Sequence, residues 1–417
     1  MKVGRREFLT GIGGVAALSA VPGFGFESST PDPRSSVAGS PFPVKSDFAI
    51  PEGVTYLNGA YVHPMPKAAV EAAHQYADFR SRPEAVSRPL ELKDVKPEFA
   101  ALINAKPSEI SFVTSTSAGE NLVVNGLGIP QGSGNVVTDA LHFEGAILHL
   151  QALQQQFGLD LRIVMPRDWR IDMKDLERVV DKKTKLIEIS LVAMNNGFQY
   201  DLKAVCDLAH SHGAYVYADI AQAAGVTPID VRASGVDFCS CCSFKWLMGD
   251  FGLGFLYVRE DLLDRVISRT QYGYYQATDL QSHFVPGDPP ATSPYTWKLG
   301  TDASAHFEVG TSAIGVTHIL GASLPYIRKL GVENIQAYRQ PLLKRLHEEM
   351  PRLGFDPMTP PESRSALVSF AIKDYRPILA RLERAKVNVR LARHWLRVSP
   401  SVFNDLKDID HLLEALS

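Results

Sequence analysis

The chain has 417 residues, 45% hydrophobic and 21% charged, with a formal net charge of −3, the composition of an ordinary globular protein. A chain of this length buries roughly 75% of its unfolded surface and has room for two or three domains. Charges of both signs are interspersed, which leaves no electrostatic footprint for nucleic acid or an anionic membrane and argues against both as partners.

The N-terminus reads "MKVGRREFLTGIGGVAALSA": a basic start, then a Gly/Ala-rich apolar stretch too short to span a bilayer. Arg5-Arg6-Glu7-Phe8-Leu9 follows the pattern of a twin-arginine export signal. Residues 1–26 are therefore expected to be a removable signal and the mature protein to be periplasmic, with no membrane span left after removal. That route carries folded proteins, which suits an enzyme that takes up a cofactor before export. Residues 27–45 are Ser/Pro-rich and read as a linker. Four cysteines in so long a chain are no disulfide framework.

From residue 71 the chain alternates short apolar runs with amphipathic stretches. "EISFVTS", "GNVVTDA", "LRIVMP", "KLIEISLVA", "AYVYADI", "VDFCSCCSF" and "GLGFLYV" read as strands. "EGAILHLQALQQQFG" and "DLKAVCDLAHSHG" read as helices, the first stopped by Gly158 and the second capped by Asp201 and stopped by Gly213. The pattern implies an α/β fold with βαβ units, a largely parallel sheet covered on both faces, and ligands at the carboxyl ends of its strands. Residues 71–311 are expected to form this large domain. Its last part, 261–311, is aromatic, Pro-rich and poorly periodic, the mark of an irregular active-site wall. Residues 312–417 return to helix, strand and helix and form a smaller α/β domain, which residues 46–70, with "VTYLNGA", are expected to complete.

Three features sit where such a sheet binds its ligand. Asp219 lies just past a buried strand; it can cap the next helix, or hold a pyridinium nitrogen protonated. Lys245 follows the next strand between Phe244 and Trp246, an apolar setting that favours the neutral amine a Schiff base requires. "FVTSTSAGENLVVNG" ends a strand in a hydroxyl-rich turn and opens a helix, whose free N–H groups suit a phosphate. Each signal is weak alone. Together they describe a site for pyridoxal 5'-phosphate.

With these motifs in this order, the chain resembles the class V aminotransferase family of pyridoxal-phosphate enzymes, relatives of isopenicillin N epimerase, cysteine desulfurase and kynureninase. The resemblance implies the type I pyridoxal-phosphate transferase fold. It implies that Lys245 is the Schiff-base and catalytic residue, that Thr116 and Ser117 bind the phosphate, that Asp219 pairs with the ring nitrogen and that Gln222 contacts the phenolic oxygen. "HFEVGTS" resembles a segment that crosses a homodimer, so Thr311 would reach the partner's phosphate. "RVSPSVFND" resembles the segment whose arginine, Arg397, holds the substrate carboxylate, and a guanidinium fork suits that task. The ring-stacking position falls on Phe143 or His142. Met194 stands where the family has an asparagine, and Phe244 where it commonly has a phosphate-binding His or Tyr, with Ser243 as the residue to compensate.

Cysteine desulfurases carry a reactive thiol on a loop before the arginine motif. Here that region, "VNVRLARHWLRVSP", has none. Cys239, Cys241 and Cys242 read as packed strand residues rather than metal ligands. The first expectation is therefore transamination or epimerisation at the α-carbon of an amino-acid-like substrate. The alternative is a C–S or C–C lyase without a catalytic cysteine loop; an exported non-catalytic binding protein on this fold comes third. Arg393, His394, Trp297, Tyr272, Tyr274 and Tyr275 stand as pocket candidates that also read as structural.

Overall fold

The structure, a computed structural model, describes residues 41–83 and 94–417. The expected signal and residues 27–40 of the linker lie outside the described residues.

The chain enters through β1 (Thr55–Tyr56) and then builds β2 (Ile110–Val113), β3 (Asn135–Asp139), β4 (Asp160–Val164), β5 (Thr184–Ser190), β6 (Tyr215–Asp219), β7 (Phe238–Cys242) and β8 (Gly254–Val258). The seven strands β2 to β8 form one sheet in the order β2-β8-β7-β6-β5-β3-β4. Neighbours from β4 to β7 are parallel, and β8 runs antiparallel to both β7 and β2. All seven are the apolar runs read from the sequence. Their alternation has a purpose on both faces: Ile187, Ile189, Val216, Ala218, Cys239 and Cys241 enter one core, and Leu186, Tyr217, Phe238 and Leu256 the other. Strands buried on both sides read as near-continuous hydrophobic runs, as these do.

The helices are punctuated as their residues require. Asp201 accepts from the Ala204 amide at 3.2 Å and opens Leu202–Ser211. Gly158 closes Glu144–Phe157 at φ +74°, a left-handed conformation that suits glycine.

Beyond β8 the chain departs from the irregular wall expected there. Segment 261–311 is not irregular throughout: β9 (Ala277–Ser282) and β10 (Tyr295–Leu299) pair as an antiparallel hairpin. Nearly every residue of it is exposed, so no buried face imposes the two-residue period by which a strand is recognised.

The C-terminal part holds β11 (Asp356–Pro357), β12 (Val368–Ala371), β13 (Val387–Asn388), β14 (Arg390–Leu391) and β15 (Trp395–Val398). Four of them make a small sheet in the order β11-β12-β15-β14. The helices Val332–Glu349, Arg376–Ala385 and Leu406–Leu416 pack on it through Leu342, Leu346, Leu382, Ile409 and Leu412. β1 pairs in parallel with β13, so the N-terminal segment joins the small domain before the chain reaches the large sheet.

Candidate active site

The carboxyl ends of β2, β5, β6 and β7 lie along one edge of the large sheet, and the expected site residues gather there. After β2, Ser115 caps the Thr116–Gly126 helix, its hydroxyl accepting from the Ala118 amide at 3.1 Å and its carbonyl from the Gly119 amide at 3.2 Å. The amides of Thr116 and Ser117, first in the helix, have no intrahelical acceptor and remain for an incoming anion. The helix end is pinned to β7 by the Ser240 hydroxyl, which donates to the Thr116 carbonyl at 3.0 Å. Close approach needs Gly119: a Cβ there would stand 2.8 Å from the Cβ of Ser240.

Asp219 ends β6 and is 8% exposed. Burial pushes its carboxyl up to about 6, opposed by the Ala221 amide, the Lys245 charge and the Ser190 hydroxyl. The Ala221 amide donates to Oδ1 at 2.8 Å. Asp219 is thus an anion at neutral pH whose surroundings favour a further cation beside it.

Lys245 follows β7 in a turn closed by the Met248 amide on the Lys245 carbonyl, 2.9 Å. Its Nζ lies 5.8 Å from the ring centroid of Phe244. Phe244 stacks on Phe251 with centroids 4.4 Å apart, and its carbonyl accepts from the His63 amide at 3.1 Å. It therefore builds an apolar wall beside the amine and ties the lysine turn to the N-terminal segment. Ser243, the residue expected to compensate for Phe244, has its one hydroxyl hydrogen committed within its own turn. It is fully buried, and its hydroxyl donates to the Asp250 carbonyl inside the same turn.

Gln222 links three parts of the site: Nε2 donates to the Ala60 carbonyl at 3.0 Å, and Oε1 accepts from the Trp246 indole at 3.0 Å. One Nε2 hydrogen is left for a further acceptor. His142 and Phe143 separate clearly. Phe143, half-buried, heads the Glu144–Phe157 helix with its ring lying over Gly145. His142 is buried, with Nδ1 2.8 Å from the Ser190 hydroxyl that also reaches Asp219. Burial pushes His142 down to about 3, so the ring is neutral, and its Nε2 has no partner.

Arg397, on β15, is 1% exposed. Its Nη1 donates to the Met194 carbonyl at 2.8 Å, while its Nε is unpaired. Met194 therefore meets the site through its backbone, and Asn196 turns away to the Trp169 and Met358 carbonyls. Thr311 sits apart from these groups, bonded to the Tyr274 hydroxyl at 2.6 Å. It lines a cleft of about 1100 Å³ with Ala118, Asn121, Leu122 and Phe307.

The cysteines are all free and buried. Burial raises each thiol, Cys206 to about 12. Cys242 lies near the Lys245 charge and near Thr116, which places it in the wall of the site. No group of His, Cys, Asp and Glu suited to a metal occurs among the described residues.

Two residues here escaped sequence reading. Ser190 ends β5 in register with Asp219, and the rule that strand ends carry the site could have found it. Arg390 lies opposite Arg397 across β14 and β15, a cross-strand relation that no local motif displays.

A helix end with open amides, a buried carboxylate, a lysine and a buried arginine with a free edge fit the phosphate, ring nitrogen, aldehyde and substrate carboxylate of a pyridoxal-phosphate enzyme. The orphaned His142 Nε2 near Asp219 marks further unfilled polar capacity. Residues 64–412 match the aminotransferase class-V family, and the chain belongs to that family, whose cofactor is pyridoxal phosphate. It is similar to a cysteine desulfurase of Escherichia coli K12, 27% identical over 403 residues, covering 90% of this chain and 95% of that protein. Its fold is that of the apo cysteine desulfurase of Thermococcus onnurineus NA1, with TM-score 0.77, 24% identity and 93% and 98% of the two chains covered. It is also that of a cystine C–S lyase bound to its product cysteine persulfide, with TM-score 0.73, 22% identity and 90% and 98% covered.

Proposed function

We propose that this protein is a pyridoxal-phosphate lyase that cleaves a bond at the β-carbon of an amino acid, preferably C–S, with no thiol of its own taking part. The observation that carries this reading is the tight turn between Arg390 and Arg397. β14 and β15 pair directly there, and no cysteine lies beyond residue 242. The relatives named cysteine desulfurase and cystine C–S lyase support sulfur chemistry; the missing thiol removes the persulfide route of a desulfurase and leaves elimination. Transamination and epimerisation, the first expectation from sequence, rank behind it, and a non-catalytic binding role ranks last.

When bound, the cofactor supplies an electron sink for the pair left at the α-carbon. The chain's own groups do the rest. The amides of Thr116 and Ser117 hold the phosphate, Asp219 keeps negative charge at the ring nitrogen, and the neutral His142 imidazole is better placed than Phe143 to cover the ring. Arg397 fixes the α-carboxylate through its free edge. Lys245 takes the α-proton at Nζ and returns a proton to the departing sulfur. Cα–H and Cβ–S break, a thiol leaves, and water hydrolyses the released enamine to pyruvate and ammonia.

A homodimer belongs to the same proposal, with Thr311 and the cleft beside it facing the partner. Export of the folded holoenzyme, read from Arg5-Arg6, does too. No helix among the described residues is long and apolar enough to cross a membrane.

The test is product analysis on the holoenzyme with single amino acids. Pyruvate, ammonia and a thiol or persulfide in equal amounts support the proposal. Conversion of the cofactor to its amine form, or α-deuterium exchange without elimination, overturns it.

A further inference from the structure

Arg397 is not the only guanidinium on its face of the small sheet. In β14, Arg390 lies directly opposite it in antiparallel register, so both side chains rise on the same side with Cα atoms about 5 Å apart. The Arg390 guanidinium lies 5.0 Å from the ring centroid of Tyr61, a cation–π contact that holds its plane. Tyr61 follows Ala60, whose carbonyl is gripped by Gln222, and Gln222 lies one turn beyond Asp219. Arg390 is thus held at the exposed rim beside the segment that Gln222 ties to the Asp219 turn, close enough for its charge to act on buried Arg397.

Two like charges side by side are costly unless something negative joins them. Among the described residues no ion pair is made by Arg390 or Arg397. Burial, and after it the Arg390 charge, push Arg397 down to about 10, opposed by the charge of Glu144 at the head of its helix. The two arginines also differ in setting. Arg397 is sealed in, with one edge spent on the Met194 carbonyl and its Nε edge free for one carboxylate. Arg390 is exposed on an edge strand, above an exposed tyrosine. One carboxylate satisfies the buried edge; Arg390, at the exposed rim, has no acidic side chain as partner among the described residues.

We propose that the substrate carries a second anionic group on its side chain, held by Arg390 over Tyr61 while Arg397 holds the α-carboxylate. The specificity is for an acidic amino acid, or for a thioether or disulfide that ends in a second carboxylate. The proposal rests on the reading of Lys245 and Arg397 as an amino-acid site and goes beyond it by naming the substrate class.

The experiment titrates the cofactor absorbance of the holoenzyme with matched amino acids: L-glutamate against L-norvaline, L-aspartate against L-2-aminobutyrate, and L-cystine against S-methyl-L-cysteine. Charge-assisted recognition is expected to favour each acidic member by about tenfold or more in apparent dissociation constant. Arg390→Gln is expected to collapse that ratio to about one, and Tyr61→Leu to lower it part of the way. Melting curves of each variant verify folding. A wild-type ratio near one overturns the proposal. So does an Arg390→Gln variant that weakens both members equally and keeps the ratio, since both arginines then grip a single carboxylate. Absence of any response to every amino acid is a different failure: it overturns the amino-acid reading, and this proposal with it.

Discussion

Asp219 and Lys245 stand at the ends of adjacent parallel strands, close enough for the lysine charge to pull the aspartate's carboxyl down against the burial that raises it. This pairing sets acid and amine on one edge of the sheet, beside Ser240, which lies in register with Asp219 and whose hydroxyl holds the Thr116 carbonyl.

Lys245→Ala should remove the covalent link to the cofactor. Borohydride reduction is expected to add the cofactor's mass to the peptide holding Lys245 in wild type and to no peptide in the variant. Turnover should fall by about a thousandfold or more if the amine is also the proton carrier. Full turnover in the variant contradicts the assignment.

The Asp219 carboxyl titrates near 6 in the folded chain against 3.8 ordinarily. Between those values the native state keeps a proton that the unfolded chain has lost, so this group's contribution to stability declines as pH rises through that window. For the cofactor the sense is opposite, because only the ionised form pairs with a protonated ring nitrogen. Cofactor affinity of the apoprotein is expected to weaken as pH falls from 7 to 5, and the Asp219→Asn variant to bind weakly with a flatter profile. Fluorescence titration across that range checks both.

Much of this arrangement is legible in sequence because it is local. Each strand of the large sheet is an apolar run, Asp201 and Gly158 mark helix ends by their own chemistry, Asp219 ends a strand, and Lys245 stands three residues past the next one. What stayed hidden depends on distant partners. The β9–β10 hairpin lacks a buried face. Arg390 acquires meaning only through its register with Arg397. Ser243, two residues before the lysine, gives its hydroxyl to Asp250 because the chain folds back at Gly249, whose amide bonds the Ser243 carbonyl at 2.9 Å.

Glu188 offers a stability prediction. It lies in the middle of β5, fully buried, with both carboxyl oxygens unpaired, and burial followed by the neighbouring Glu120 charge raises it well above the usual range. The folded chain holds its proton where the unfolded chain does not, so stability declines as pH rises above the ordinary glutamate range. Glu188→Gln cannot ionise and should flatten that decline, melting above wild type at the alkaline end of the range. A melting temperature that falls instead would assign the carboxyl an essential bond.

Gly119→Ala tests how tightly the phosphate helix sits on β7. The added methyl meets the Ser240 side chain at 2.8 Å, with its Oγ at 2.9 Å. Overpacking of this kind costs about 1–3 kcal/mol, and the displaced helix end should lose cofactor affinity as well. Denaturant melts and cofactor titration read the two effects separately.

The central claim is elimination without an enzyme thiol, and sulfur release by cysteine-substituted holoenzyme tests it most directly. With Cys242→Ser, and with the four-fold Cys206, Cys239, Cys241 and Cys242 to Ser or Ala variant if it folds, pyruvate and sulfur release from L-cystine should stay within about threefold of wild type. Loss of sulfur release with the cofactor still bound, or a persulfide trapped on Cys242 in wild type, would contradict it.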